Sequence, residues 1–160
     1  MTQESPATHA PVRRSVTVAL DPAAAFELFT AGFARWWPLE SHHVLEGETE
    51  TAVIEPRPGG RWYERAPDGR EYDWGFVREW EPPSRILFAW QLTPEWKFDP
   101  DPAQATEVEV LFEPEGAGTR VTVEHRGFEV HGESGIAMRK SVGGEGGWSG
   151  LLAGYRAAAA

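Results

Sequence analysis

The sequence predicts an α+β domain in which helices cover one face of an antiparallel sheet of about seven strands. Three observations predict it. From Thr51 onward apolar residues recur with period two over six successive segments. Short Gly- and Pro-rich turns join most of those segments, and so short a link between strands forces antiparallel neighbours. Helical spacing is confined to the regions that flank them, and a sheet of this size needs those helices to cover its apolar face.

The first strand is read at Val12–Leu20, where Val16 and Val18 alternate with Ser15, Thr17 and Ala19. Asp21-Pro22 then starts a helix, with an acid at the cap and proline at the first helical position. Phe26, Phe29, Phe33 and Trp36 or Trp37 follow at helical spacing, Gly32 offers a break into two short helices, and Pro38 ends the run. The six period-two strands are Thr51–Glu55, Arg61–Arg65, Glu71–Trp80, Arg85–Gln91, Thr106–Glu113 and Thr119–Arg126. Pro58-Gly59-Gly60, Pro67-Asp68-Gly69, Pro82-Pro83-Ser84 and Pro114–Gly118 punctuate them. The one long connection, Thr93–Ala105, is rich in Pro and Asp, carries Trp96 and Phe98, and reads as a flap over an opening. Helical spacing returns over Glu133–Ala158, where Met138, Val142, Leu151, Leu152 and Tyr155 are the apolar positions. The run Gly143–Gly147 interrupts it, since each interior glycine costs about 1 kcal/mol, so a final helix from Trp148 is expected. Residues 1–11 are polar and Pro/Ala-rich with no apolar stretch. They read as a disordered lead-in, without a secretory signal, to a single domain over 12–158.

Composition excludes several classes of function. A chain of 160 residues without cysteine has no disulfide, thiolate nucleophile or Cys-ligated metal. The net charge of −10, with Arg13-Arg14 as the only adjacent basic pair before the C-terminal tail, repels nucleic acid and anionic membrane surfaces. No apolar run reaches the ~18 residues of a membrane span, so a cytoplasmic protein is expected. Eight Trp and eight Phe must either fill a large core or line a pocket or an interface, and cavity lining is expected for about half of them.

Strand parity then nominates the residues that face the cavity. Val108, Val110 and Phe112 point opposite to Glu107 and Glu109, and Val121, Val123 and His125 share one face of the last strand. Trp62 shares a face with Glu64, Trp74 with Phe76 and Trp80, and Ile86 with Phe88 and Trp90. The ligand-contacting set is read as Trp62, Glu64, Trp74, Phe76, Trp90, Phe112, His125 and, from the helical end, Met138. An inward Glu64 needs a partner, and Arg78 is the candidate at matching parity. His125 is either a satisfied core histidine or the group to test first as a general base. His42-His43 with Glu46, Glu48 and Glu50 lacks the i,i+2 or i,i+4 spacing of metal ligands and reads as a solvated acidic loop, so no metal is expected. Gly147-Trp148-Ser149-Gly150-Leu151 lacks the second glycine of a nucleophile elbow, and the glycine run lacks the Lys-Ser/Thr of a phosphate loop.

Several segments together resemble a known superfamily. They are Phe26–Thr30 with Trp36-Trp37-Pro38, Gly59–Glu64, Trp80–Trp90 with its Glu-Pro-Pro-Ser core, Thr119–His125 and Gly147–Leu152. Their order is similar to that of START-like helix-grip domains, also called SRPBCC or Bet v 1-like, and most of all to the branch of homologues of the activator of heat-shock protein 90 ATPase. The resemblance implies a curved sheet wrapped around a long C-terminal helix, with an internal cavity for a small, mostly apolar molecule such as a lipid or polyketide. It brings neither a catalytic residue nor a cofactor. Three roles fit it: a binding domain, a polyketide cyclase or hydrolase using the same cavity, or a co-chaperone that stimulates a heat-shock ATPase.

Overall fold

A computed structural model describes residues 8–160 and contains one seven-stranded antiparallel sheet in the order β1-β7-β6-β5-β4-β3-β2. The strands are β1 (Val12–Val18), β2 (Thr51–Ile54), β3 (Arg61–Arg65), β4 (Glu71–Glu81), β5 (Arg85–Trp90), β6 (Thr106–Glu115) and β7 (Gly118–Arg126). Helices α1 (Pro22–Thr30) and α2 (Phe33–Trp36) follow β1, and α3 (Glu133–Gly143) and α4 (Trp148–Ala158) close the chain. The strands expected from period two are all present, their ends moved by two residues at most. Residues 1–7 of the expected lead-in lie outside the described residues. Positions 8–11 have no regular structure, but the His9 ring bonds the Gly132 carbonyl at 2.7 Å and Arg139 donates to the Ala10 carbonyl.

Each helix forms where its local signals place it. Asp21 caps α1 by accepting from the Ala24 N–H at 2.8 Å, with Pro22 in the first turn. The chain breaks at Gly32 before the single turn of α2. The glycine run separates α3 from α4, and Gly147 is irreplaceable there: a Cβ would stand 2.1 Å from the Val142 carbonyl oxygen. The C-terminal helical segment is thus two eleven-residue pieces.

The core lies between the concave face of the sheet and the helices. Val108, Val110, Phe112, Val121 and Val123 are buried on that face, as alternation predicts. Phe112 packs 5.1 Å from Phe26 and 5.7 Å from Phe29, centroid to centroid. α4 is bound to this layer through Tyr155, whose ring lies 5.5 Å from Phe29 and 5.2 Å from Trp36. Its hydroxyl donates to the Ala25 carbonyl at 2.6 Å, and burial pushes its pKa up.

Simple parity fails in β4, because two bulges interrupt it. Trp62 pairs with Gly75 while Tyr63 pairs with Asp73, which makes Trp74 the extra residue. Val77 pairs with Phe88 while Glu79 pairs with Leu87, which makes Arg78 the extra residue. Trp74, Val77 and Trp80 therefore face inward, and Phe76 turns to the outer face with the Arg78 guanidinium 5.2 Å from its ring. Gly75 permits the first bulge, since a Cβ there would sit 1.9 Å from the Ala89 carbonyl oxygen. That outer face carries ion pairs in which Arg126 joins Glu107, Glu109 and Glu124, and Arg85 joins Glu79, Glu81 and Glu109. Such exposed pairs stabilise little and leave the face solvated.

With Phe112 only 2% exposed among aromatic neighbours, Phe112→Ala should lower stability by about 3–5 kcal/mol in denaturant melts. A loss below about 1 kcal/mol would mean that the ring borders open space.

Candidate functional site

Between the segment after α2, the sheet and the α3–α4 junction lies a partly open cavity of about 320 Å³. Its walls come from the segment after α2 (Trp37, Ser41, His42, His43, Val44), from the sheet (Trp74, Trp90), from Leu92 just before the flap and Trp96 within it, and from the α3–α4 junction around Trp148. Five of the eight tryptophans converge there. They run as a continuous chain of rings, Trp74–Trp37 at 5.5 Å, Trp37–Trp148 at 6.1 Å, Trp148–Trp90 at 6.2 Å and Trp90–Trp96 at 6.3 Å. All but the first contact are edge-to-face, so the walls present both ring faces and ring edges.

Three of the five indoles are locked by their own N–H. Trp74 Nε1 donates to Glu64 Oε1 at 2.7 Å, Trp148 Nε1 to His125 Nδ1 at 3.1 Å, and Trp37 Nε1 to the His42 carbonyl at 3.0 Å. Trp90 Nε1 is buried without an acceptor among the described residues, and Trp90 itself is 5% exposed. Trp96 is the exposed member at 42%. It occupies the left-handed region at φ 62° within the turn that Thr93 and Lys97 close, a conformation unfavourable for a bulky side chain. The expected flap is thus present and delivers Trp96 to the pocket mouth.

Glu64 is fully buried and holds the pocket wall in place. Oε1 accepts from the Val44 N–H at 2.6 Å as well as from Trp74, and Oε2 accepts from the Leu45 N–H at 3.0 Å. Three N–H donors satisfy the carboxylate, so it needs no cation. Arg78 does not reach it: displaced outward by the second bulge, Arg78 pairs with Glu107 at 3.7 Å.

His125 is a satisfied core histidine. Its Nδ1 accepts from Trp148, so the ring proton sits on Nε2 and is donated to Thr106 Oγ1 at 2.8 Å. Desolvation lowers its pKa from the ordinary 6.5 to about 3, which keeps the ring neutral. Its Nδ1 lone pair is taken by an indole, and the ring stands behind the cavity wall rather than on it. It supports Trp148 and Trp90, whose ring lies 4.9 Å away.

The profile of the Activator of Hsp90 ATPase homolog 1-like protein family matches residues 19–154. The chain belongs to that family. No curated protein matches it. Among the similar solved structures are two that share about a third of its residues. The structure described as an anthrahydroquino-Gama-pyrone synthase, Txn09, complexed with SUM is 37% identical, over 96% of this chain and 99% of that one, with a TM-score of 0.66. The self-sacrificing resistance protein CalC from Micromonospora echinospora is 32% identical, over 93% of each chain, with a TM-score of 0.67. Protein NE0264 from Nitrosomonas europaea, at 15% identity and a TM-score of 0.64, shows the fold alone. The helix-grip architecture inferred from the sequence is therefore that of the family.

Within this family member, the residues nominated from sequence divide into three groups. Trp74 and Trp90 line the pocket. Trp62, Glu64 and His125 stand behind the wall, with Trp62 5.8 Å from Trp74 and 5.6 Å from Trp90. Phe76, Phe112 and Met138 are not at the pocket: Phe76 is turned outward by the bulges, Phe112 is packed against α1, and Met138 is buried in the core instead. The acidic-loop reading of residues 42–50 also needs correction, because His42 and His43 belong to the wall. His42 Nε2 bonds the Gly146 carbonyl at 2.6 Å and His43 Nδ1 the Leu45 carbonyl at 2.8 Å. The tryptophan pair just before this loop was the available signal. Among the described residues no three His, Asp or Glu side chains converge as metal ligands, and no helix is long and apolar enough to cross a membrane.

Two measurements check this geometry. His125 takes up a proton at a higher pH when unfolded than when folded, so stability is full above about pH 6.5 and falls as the pH drops toward about 3. His125→Asn should therefore be less stable at pH 7 and show a shallower decline between pH 6.5 and 4; equal slopes would show that His125 is solvated. Glu64→Gln places an amide against three N–H donors and should cost about 1–3 kcal/mol in the same melts, and an unchanged midpoint would refute the role of Glu64.

Proposed function

We propose that the protein binds a small, planar, mostly apolar molecule among the tryptophans of this cavity. The observation that carries the reading is the run of five indoles lining one cavity of about 320 Å³, a volume at the lower end for small-molecule sites. Faces and edges of indoles favour flat, polarisable ring systems over flexible acyl chains. Trp90 Nε1 adds a preference: this indole lines the cavity with its N–H buried and without a protein acceptor, and a small rotation of the ring on ligand entry would offer it to a carbonyl or ether oxygen. The synthase that is 37% identical supports this class, since it is described as making an anthrahydroquino-γ-pyrone.

The same similarity supports a second reading, in which the cavity also performs chemistry on such a ring system. A chaperone-docking role draws support from the family description, but the surface favours the pocket. Among the described residues the exposed large hydrophobics are Trp96 and Val130, and Trp96 already belongs to the pocket mouth.

Tryptophan fluorescence tests the reading directly. Anthraquinone should quench it saturably and bind more tightly than anthracene, which lacks an acceptor. Trp90→Phe should reduce that preference about fivefold, the worth of one hydrogen bond near 1 kcal/mol. Failure of planar probes to quench, or tighter binding of a linear fatty acid, would refute the proposal.

A further inference from the structure

The rim of the pocket holds a hydroxyl and an imidazole already in contact. Ser41 Oγ lies 2.8 Å from His42 Nδ1, and His42 Nε2 lies 2.6 Å from the Gly146 carbonyl oxygen. A carbonyl oxygen only accepts, so Nε2 carries a proton, and in the neutral ring Nδ1 offers its lone pair to the Ser41 hydroxyl. The pair is held from several sides. The Pro38 carbonyl accepts from the backbone N–H groups of Ser41 and His42 at 3.1 and 2.9 Å. Trp37 places its ring 6.0 Å from that of His42, edge-on, and donates to the His42 carbonyl. Ser41, His42 and Gly146 all line the cavity. A hydroxyl, a base and a third group that orients the base is the arrangement that activates oxygen in many enzymes.

We propose that Ser41 and His42 form a proton relay that deprotonates an acidic hydroxyl, a phenol or enol, on the ligand in the pocket; this rests on the binding reading above. The ligand O–H bond breaks and its proton passes to Ser41 Oγ, while the Ser41 proton passes to His42 Nδ1. The products are a ligand oxyanion that accepts from the re-formed Ser41 hydroxyl, and an imidazolium whose Nε2–H makes a charge-assisted bond to the Gly146 carbonyl. Protons and charge balance without an oxidant, metal or leaving group. Ser41 touches the ligand and is the catalytic residue. His42 acts through it, and Gly146 fixes the ring so that Nδ1 is the free nitrogen. An oxyanion conjugated with a fused ring gains nucleophilic character at ring carbon, which makes the relay the first step of a ring-forming or ring-modifying reaction.

The test uses 2-hydroxyanthraquinone, whose phenolate absorbs at longer wavelength than its phenol, bound to saturation on the full chain. At a pH where the free probe is mainly phenol, the bound probe should have a phenolate-to-phenol ratio at least about tenfold higher, as a charge-assisted hydrogen bond allows. Ser41→Ala and His42→Gln should return that ratio toward the free value, and Ser41→Thr, which keeps the hydroxyl, should retain it. The ratio is read on bound probe alone, so a purely structural role for either residue would change affinity and leave the ratio where it was. A wild-type ratio equal to that of free probe, or one that survives Ser41→Ala, overturns the relay but leaves the pocket reading standing. If neither this probe nor anthraquinone binds, the pocket reading falls and the relay with it.

Discussion

A buried carboxylate joins the parts of this structure that the cavity depends on. Glu64 extends from β3, accepts the indole N–H of Trp74 from β4 and the backbone N–H groups of Val44 and Leu45 from the loop after α2. Burying a carboxylate is costly unless its oxygens are satisfied, and the three donors supply that satisfaction. The consequence is geometric. The loop that carries Ser41, His42 and His43 is fixed to the sheet without regular structure of its own, and Trp74 is fixed in the same act.

The opposite wall repeats the device with a neutral group. His125 has given up its charge to burial, and its two nitrogens join Thr106 on the sheet to Trp148 at the start of α4. Each wall therefore pairs a buried polar group with an indole. Tryptophan suits this role because it combines a large apolar ring with one donor at its edge. Anchoring that edge leaves the ring surface for the cavity and limits the entropy a ligand must remove on binding. Trp90 is held by packing alone, and its buried N–H has no acceptor among the described residues. The family and its solved relatives share the frame, and these side chains shape the cavity within it.

Much of the frame was legible from residue pattern, and the reasons are local. Period-two alternation in Thr106–Glu113 and Thr119–Arg126, turn residues between strands, and Asp21-Pro22 each act over a few residues, so sequence alone exposes them. The site was less legible because its determinants are not local. Trp74 and Arg78 are the extra residues of two bulges, which reversed the face assigned to Phe76, and no residue type announces a bulge except, in retrospect, Gly75. Phe112 was read correctly as inward but wrongly as bordering open space, since only the packing of α1 shows which part of the concave face is filled. The loop after α2 looked solvated because its charges are on the surface, whereas its backbone N–H groups meet Glu64, a contact between residues 19 and 20 positions apart.

The central claim is that three indoles of the cavity are anchored by their N–H groups while the buried Trp90 N–H has no protein partner, and indole N–H nuclear magnetic resonance tests it most directly. With the signals assigned by single Trp→Phe variants, those of Trp37, Trp74 and Trp148 should exchange slowly with solvent and stay near their free positions when anthraquinone is added. The Trp90 signal should move strongly downfield as its N–H meets the ligand oxygen. A Trp90 signal that does not respond, or three anchored indoles that exchange as fast as exposed Trp96, would contradict the account.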